Sequence, residues 1–303
     1  MIQVADLTKV YGEQTAINRL NFSIGKGEIV GFLGPNGAGK STTMKIMTCY
    51  LPPTSGTVEI GDFNIVDHPL EIRKQIGYLP EHNPLYLDMY VHEFLTFAAN
   101  IHGIKGKEAK QRVADVIERT GLGREQHKKI GMLSKGYRQR VGLSQAMIHD
   151  PQVLILDEPT TGLDPNQIVD IRNLIREIGQ EKTVIFSSHI LSEVESIAKR
   201  VIIINRGDII ADEPTDNLRL LAEDQAEVRF EVKEAGFSTE TISQAEGVRE
   251  VEQIGDREFL VRSAPEVDIR PLVFEACVAQ SHILLGMNLQ KLTLEDAFRK
   301  LTQ

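Results

Sequence analysis

The run Gly34-Pro35-Asn36-Gly37-Ala38-Gly39-Lys40-Ser41-Thr42 constrains this chain more than any other stretch. An apolar segment, Glu28 to Leu33, leads into it, and a helix-compatible segment follows. A strand, a glycine-rich turn and a helix N-terminus in that order form a cradle for phosphate. The glycines let the backbone wrap a polyphosphate, and the loop amides and helix dipole supply donors and positive potential. Lys40 is expected to reach the β- and γ-phosphates, and the Ser41 hydroxyl to ligate Mg²⁺. Mg-ATP is the ligand that this spacing predicts.

Such a loop needs an α/β core behind it, and the hydrophobic pattern supplies one. Over the first two hundred or so residues apolar runs alternate with helical patterns, which predicts a largely parallel sheet. Glu28 to Leu33, Val153 to Asp157, Thr183 to Ser187 and Val201 to Asn205 read as buried strands. Asp164-Pro165 has the form of an N-cap followed by a first-turn proline, and Ile168, Ile171, Leu174, Ile175 and Ile178 then recur at helical spacing. Residues 83–150 hold helix-compatible stretches, Val91 to His102 and Lys107 to Thr120 among them, and read as a helical insertion forming its own lobe.

The pattern changes after about residue 220, so the expected domains are 1–220 and 221–303. In the second, Glu227 to Lys233, Val251 to Ile254, Glu258 to Val261 and His282 to Met287 read as strands, with a helix over Leu272 to Ala279. This predicts a small α+β module of βαββαβ order, closed by a helix from Leu294 to Leu301.

Two further features carry chemistry. Val153-Leu154-Ile155-Leu156-Asp157-Glu158 is an apolar strand ending in two carboxylates. Beside a phosphate loop it supplies what phosphoryl transfer needs, with Asp157 holding the metal through water and Glu158 orienting or deprotonating the attacking water. His189 stands at the end of the next strand, where ligands bind in open α/β sheets. Position alone favours a structural role for it.

Bulk properties narrow the setting. No stretch approaches the roughly 18–20 apolar residues of a membrane helix. The opening Met-Ile-Gln-Val-Ala-Asp-Leu lacks a basic segment followed by an apolar one, so no signal peptide is expected. Cys49 and Cys277 are too few for a disulfide framework and read as apolar fillers in a reducing cytoplasm. A net charge of −9 makes direct binding to nucleic acid an unattractive function.

Leu133-Ser134-Lys135-Gly136-Tyr137-Arg138-Gln139-Arg140 resembles the signature sequence of ATP-binding cassette (ABC) proteins, most often written L-S-G-G-Q. The resemblance spans residues 1–215, with companion motifs in family order. Tyr11 matches the aromatic that stacks on adenine, Gly77 to Glu81 the Q-loop, and Thr161-Gly162-Leu163-Asp164 the D-loop. His189 matches the switch histidine at the γ-phosphate. Two positions depart from the pattern. Glu81 stands where glutamine is commonest, as a metal-side sensor of different charge, and Lys135 and Tyr137 flank Gly136. Tyr137 and Arg138 read equally well as packing and solvated charge.

The resemblance implies a P-loop NTPase cassette with a helical subdomain. It also implies that Ser134, Gly136 and Asp164 act on nucleotide held by a second cassette. The expected partners are therefore a second copy or paired cassette, and a polytopic membrane permease that inserts a short cytoplasmic helix beside the Q-loop. The segment Ile76 to Tyr86, the Lys135 to Arg140 signature and Leu294 to Phe298 resemble the subgroup serving drug, sodium and polysaccharide export, and within it ATPases associated with bacterial gliding motility. A soluble cassette ATPase acting on ribosomes or DNA is the alternative. The presence of one phosphate loop, the short interval from Glu81 to Ser134 and the acidic balance weigh against it. A module that binds nucleotide without hydrolysis is disfavoured because Lys40, Asp157, Glu158 and His189 are all present. The terminal module is expected to regulate turnover, stabilise the dimer or pack against the cassette.

Overall fold

The structure is a computed structural model and describes residues 2–217, 226–264 and 267–290. The first unit, residues 1–215, runs β1 (Ile2–Tyr11), β2 (Gln14–Ile24), β3 (Ile29–Leu33), α1 (Lys40–Met47), β4 (Ser55–Ile60), β5 (Phe63–Asn64), α2 (Pro69–Gln75) and β6 (Ile76–Leu79). It continues through α3 (Val91–Ile101), α4 (Gly106–Arg119), α5 (Lys135–Met147), β7 (Val153–Leu156), α6 (Pro165–Ile178), β8 (Thr183–Ser188), α7 (Leu191–Ile197), β9 (Arg200–Asn205) and β10 (Asp208–Pro214).

Two sheets organise this unit. The larger has the order β10-β9-β3-β8-β7-β6 and is parallel throughout except for β10, which pairs antiparallel with β9. Its interior strands β7 and β8 are buried along their whole length. Strands covered on both faces must read as continuous apolar runs, as Val153–Leu156 does. The second sheet is antiparallel, in the order β2-β1-β4-β5. It was not expected from the hydrophobic pattern, and its irregular pairing gives the reason. Register shifts interrupt β1 between Val4 and Val10, and Asp6 and Arg19 take positive φ. Bulges of this kind break the period-two alternation by which a strand is recognised.

Both sheets share a single apolar core. Ile2, Val4, Leu7, Ile17 and Leu20 of the antiparallel sheet meet Phe32, Ile155, Ile185 and Ile202 of the parallel sheet, with Met44 and Ile46 of α1 in the same cluster. Burying side chains of this size contributes about 1.5–3 kcal/mol each, which fixes the sheet ends where the site is built.

Helices α3 to α5 form the helical insertion between β6 and β7. α5 begins at Ser134, whose hydroxyl accepts the Tyr137 amide at 3.4 Å. α6 begins at Asp164, whose carboxylate accepts the Gln167 amide at 3.0 Å. Gly136, in the first turn of α5, has no room for a side chain, since a Cβ there would strike Gln167 of α6.

The second unit begins at Asp216. Its described elements are β11 (Ala226–Val232), α8 (Glu240–Ser243), β12 (Val248–Gln253), β13 (Glu258–Ser263), α9 (Arg270–Ala279) and β14 (Leu284–Gln290). The order is βαββαβ, folded as an antiparallel sheet β12-β13-β11-β14, a split βαβ arrangement. Its core joins Val228, Phe230, Phe259 and Val261 to Val273 and Cys277 of α9. Cys277 is buried, and burial pushes its thiol pKa up, as befits an apolar filler. Cys49 is only half-buried. The closing helix expected over residues 294–301 lies outside the described residues.

Candidate active site

The phosphate loop leaves β3 at Leu33 and enters α1 at Lys40. Gly37 and Gly39 take φ values of 81° and 111°, a region closed to most side chains, and a Cβ on Gly39 would lie 2.7 Å from the Ala16 carbonyl oxygen. The Lys40 ammonium donates to the carbonyls of Gly34, at 2.6 Å, and Pro35, at 3.2 Å. Burial holds its pKa below the ordinary lysine value, against the opposing influence of Glu158, Asp157 and Glu81.

Asp157 and Glu158 follow β7 directly, and both are buried. One oxygen of Asp157 accepts the Ser41 hydroxyl at 3.0 Å and the Ser187 hydroxyl at 2.7 Å. Ser187 in turn accepts the Glu158 amide at 2.8 Å. Glu158 has φ 49°, uncommon for a residue with a side chain and maintained only where the surroundings over-determine it. Its Oε2 lies 2.9 Å from His189 Nδ1 and accepts the Thr161 hydroxyl at 3.2 Å, while its Oε1 faces Lys40.

These groups open into a cleft of about 630 Å³. Tyr11, Asn36, Thr42, Glu81, Glu158 and His189 line it together with Lys40, Ser41 and the loop backbone. Tyr11 stands half-exposed at the end of β1 with the Lys9 ammonium 5.1 Å from its ring centre. Glu81 follows β6 and also borders an adjoining groove with Ser41 and Asp157. Ser41, Asp157 and Glu81 thus offer a hydroxyl and two carboxylates on one wall, an all-oxygen donor set that suits Mg²⁺.

The structure therefore brings together Tyr11, the loop from Gly34 to Thr42, Glu81, Asp157, Glu158 and His189. It places Ser134, Gly136 and Asp164 elsewhere, since none of them lines this cleft. Ser134 and Asp164 are exposed helix caps, and Gly136 is buried against α6. Sequence reasoning assigned no role to Ser187 and placed Thr161 only within the D-loop match. The signal for Ser187 was a polar residue closing an otherwise apolar buried strand.

A glycine-rich loop, a buried lysine and a carboxylate pair, all at the C-terminal ends of parallel strands, define a P-loop nucleoside triphosphatase. Comparison with known proteins narrows the class. Residues 17–161 match the ABC transporter family. The bacitracin transport ATP-binding protein BcrA of Bacillus licheniformis is 41% identical over 221 residues, covering 72% of this chain and 71% of BcrA. YhcH of Bacillus subtilis (strain 168), an uncharacterized ABC transporter ATP-binding protein, is 33% identical over 305 residues, covering 100% of this chain and 96% of its own. Among solved structures, the dimeric post-hydrolysis state of the ATP-binding cassette MJ0796, bound to ADP and Pi, matches with a TM-score of 0.66 at 27% identity, over 71% of this chain and 99% of that one. The chain belongs to the ABC transporter family, as an ATP-hydrolysing, ATP-binding subunit.

Proposed function

We propose that this subunit powers export across a membrane, and that two cassettes close head to tail over two ATP molecules to do so. The observation that carries the reading is the position of Glu158, in the cleft between Lys40 and His189. There its carboxylate can orient a water and take its proton while the lysine balances phosphate charge. Lys40 and the amides of Gly37 and Gly39 hold the phosphates, Tyr11 stacks on the base, and Asn36 and Thr42 complete the wall. Bound Mg²⁺ would neutralise charge on the transferred phosphoryl group. Ser41, Asp157 and Glu81 are the residues to hold it, directly or through water. His189, in contact with Glu158, faces the γ-phosphate.

Ser134, Gly136 and Asp164 lie outside the cleft of their own chain, which supports their action on nucleotide bound by a partner cassette. The dimer of MJ0796 supports the same reading. Transport is supported by the likeness to BcrA. The working partner would be a polytopic permease, as the likeness to transport ATP-binding proteins implies; no helix among the described residues is long and apolar enough to cross a membrane. The subunit would then sit on the inner face of the cell membrane. The narrower gliding-motility reading rests on the likeness of residues 76–86, 135–140 and 294–298 alone. For the C-terminal module we propose regulation of turnover or dimer contact.

The test is to recover tagged Glu158→Gln chain from detergent-solubilised cells with ATP present and identify its companions. A co-purifying polytopic membrane protein is the expected result. Recovery of ribosomes or nucleic acid in its place, with ATPase activity intact in the unaltered chain, would overturn the transport reading.

A further inference from the structure

Glu193 is a charged residue in the first turn of α7, yet only 3% of its surface is exposed. Glutamate is almost never buried this far unless it is paired, because an uncompensated charge there is costly. Its partners are specific. Oε2 accepts the Thr160 hydroxyl at 2.7 Å and the Ser188 hydroxyl at 2.8 Å. Oε1 lies 3.7 Å from an Arg172 guanidinium nitrogen on α6.

The two hydroxyls belong to the two segments that carry the hydrolytic pair. Thr160 is two residues beyond Glu158, and Ser188 immediately precedes His189. Thr160 and Ser188 are themselves buried, so neither hydroxyl has water as an easy alternative. Ser188 also accepts the Ile190 amide at 3.0 Å, which holds the turn just past the histidine. On the cleft side Ser187 bonds Asp157 and the Glu158 amide. The close approach of Glu158 to His189 is therefore bracketed from two sides, by Ser187 near the cleft and by Glu193 away from it.

We infer that Glu193 is a positioning residue for hydrolysis, its buried carboxylate fastening the loop that carries Glu158 to the strand end that carries His189. It does not line the cleft and acts only through Thr160 and Ser188. The inference rests on the assignment of Glu158 and His189 to hydrolysis. An ion pair with Arg172 alone does not account for the geometry. The arginine stands beyond hydrogen-bond distance, whereas both short bonds converge on the oxygen that faces the two loops.

Steady-state ATPase kinetics and nucleotide affinity of the full chain test the inference. Glu193→Gln keeps a carbonyl oxygen for both hydroxyls and should hold kcat within about threefold of the unaltered chain. Glu193→Ala should lower kcat by at least about tenfold while ATP affinity changes by less than about twofold, since sub-ångström misplacement acts on turnover. Thr160→Val and Ser188→Ala each cut one arm and carry the test should Glu193→Ala fail to fold. Each should lower kcat, and the double variant should be no slower than the slower single, because either cut already parts the two segments. A merely structural role predicts additive losses that follow the melting temperature and no rescue by glutamine. That pattern, or unchanged kcat in Glu193→Ala, overturns the inference. Wild-type turnover in Glu158→Gln would instead overturn the assignment on which it rests.

Discussion

The ammonium of Lys40 lies 3.6 Å from Glu158 Oε1, and both side chains are more than nine-tenths buried. The lysine thus serves two anions in the functional reading, the phosphates and the general base. Lys40→Ala removes the buried cation that faces both. Truncating one member of a desolvated charge pair costs about 2–5 kcal/mol, so ATP affinity should fall by roughly 1.5 to 3.5 orders of magnitude. Fluorescence titration with nucleotide measures it, and unchanged affinity would contradict the site.

Glu158→Gln keeps the shape of the side chain and removes the carboxylate proposed as the base. Turnover should drop by roughly 10²–10⁴-fold while ATP still binds, so that closed dimers accumulate. Light scattering at saturating ATP reads the dimer, and a population that stays monomeric would refute the head-to-tail arrangement.

Ser134→Ala removes the exposed cap of α5 that lies outside its own cleft. ATP binding by the isolated chain should persist while hydrolysis falls. Mixing this variant with Lys40→Ala pairs one intact phosphate loop with one intact signature, and a fraction of the activity should return. Absence of any recovery would argue against action between chains.

His149 follows α5, with its ring stacked on His102 at 3.9 Å and its Nε2 3.0 Å from the Ile76 carbonyl oxygen. Burial, reinforced by the facing imidazole, pushes its pKa down from 6.5 to about 4. Between those values the unfolded chain binds the proton that the folded chain refuses, so stability is full above about pH 6.5 and is lost as pH falls toward 4. His149→Gln should remove this part of the acid sensitivity. The drop in melting temperature from pH 7 to pH 4.5 should therefore be smaller in the variant, and equal drops would show that His149 contributes nothing.

Much of the candidate site was legible in the sequence because its pieces are local. The phosphate loop announces itself through glycines whose backbone angles the structure requires, and Asp157-Glu158 through two acids closing an apolar run. Buried parallel strands are conspicuous for the same reason. The antiparallel sheet was not legible, since the bulges at Asp6 and Arg19 shift the register that alternation depends on. Ser188, Thr160 and Glu193 were invisible for a different reason. Each is an ordinary polar residue in its own neighbourhood, and their meaning comes from pairing across about thirty positions of sequence once β7 and β8 lie side by side.

That pairing has a consequence for how the enzyme tolerates change. Ser187 and Ser188 are successive residues of β8, and a strand turns successive side chains to opposite faces. One hydroxyl serves Asp157 and the other serves Glu193. If β8 slid by a single residue against β3 and β7, one serine would take the other's place and Phe186 or His189 would fill the position left behind, so one of the two bonds would be lost although the composition was untouched. The reading frame of the central sheet thus helps hold the candidate site together, and an insertion or deletion within residues 183–188 should silence hydrolysis as thoroughly as loss of an acid.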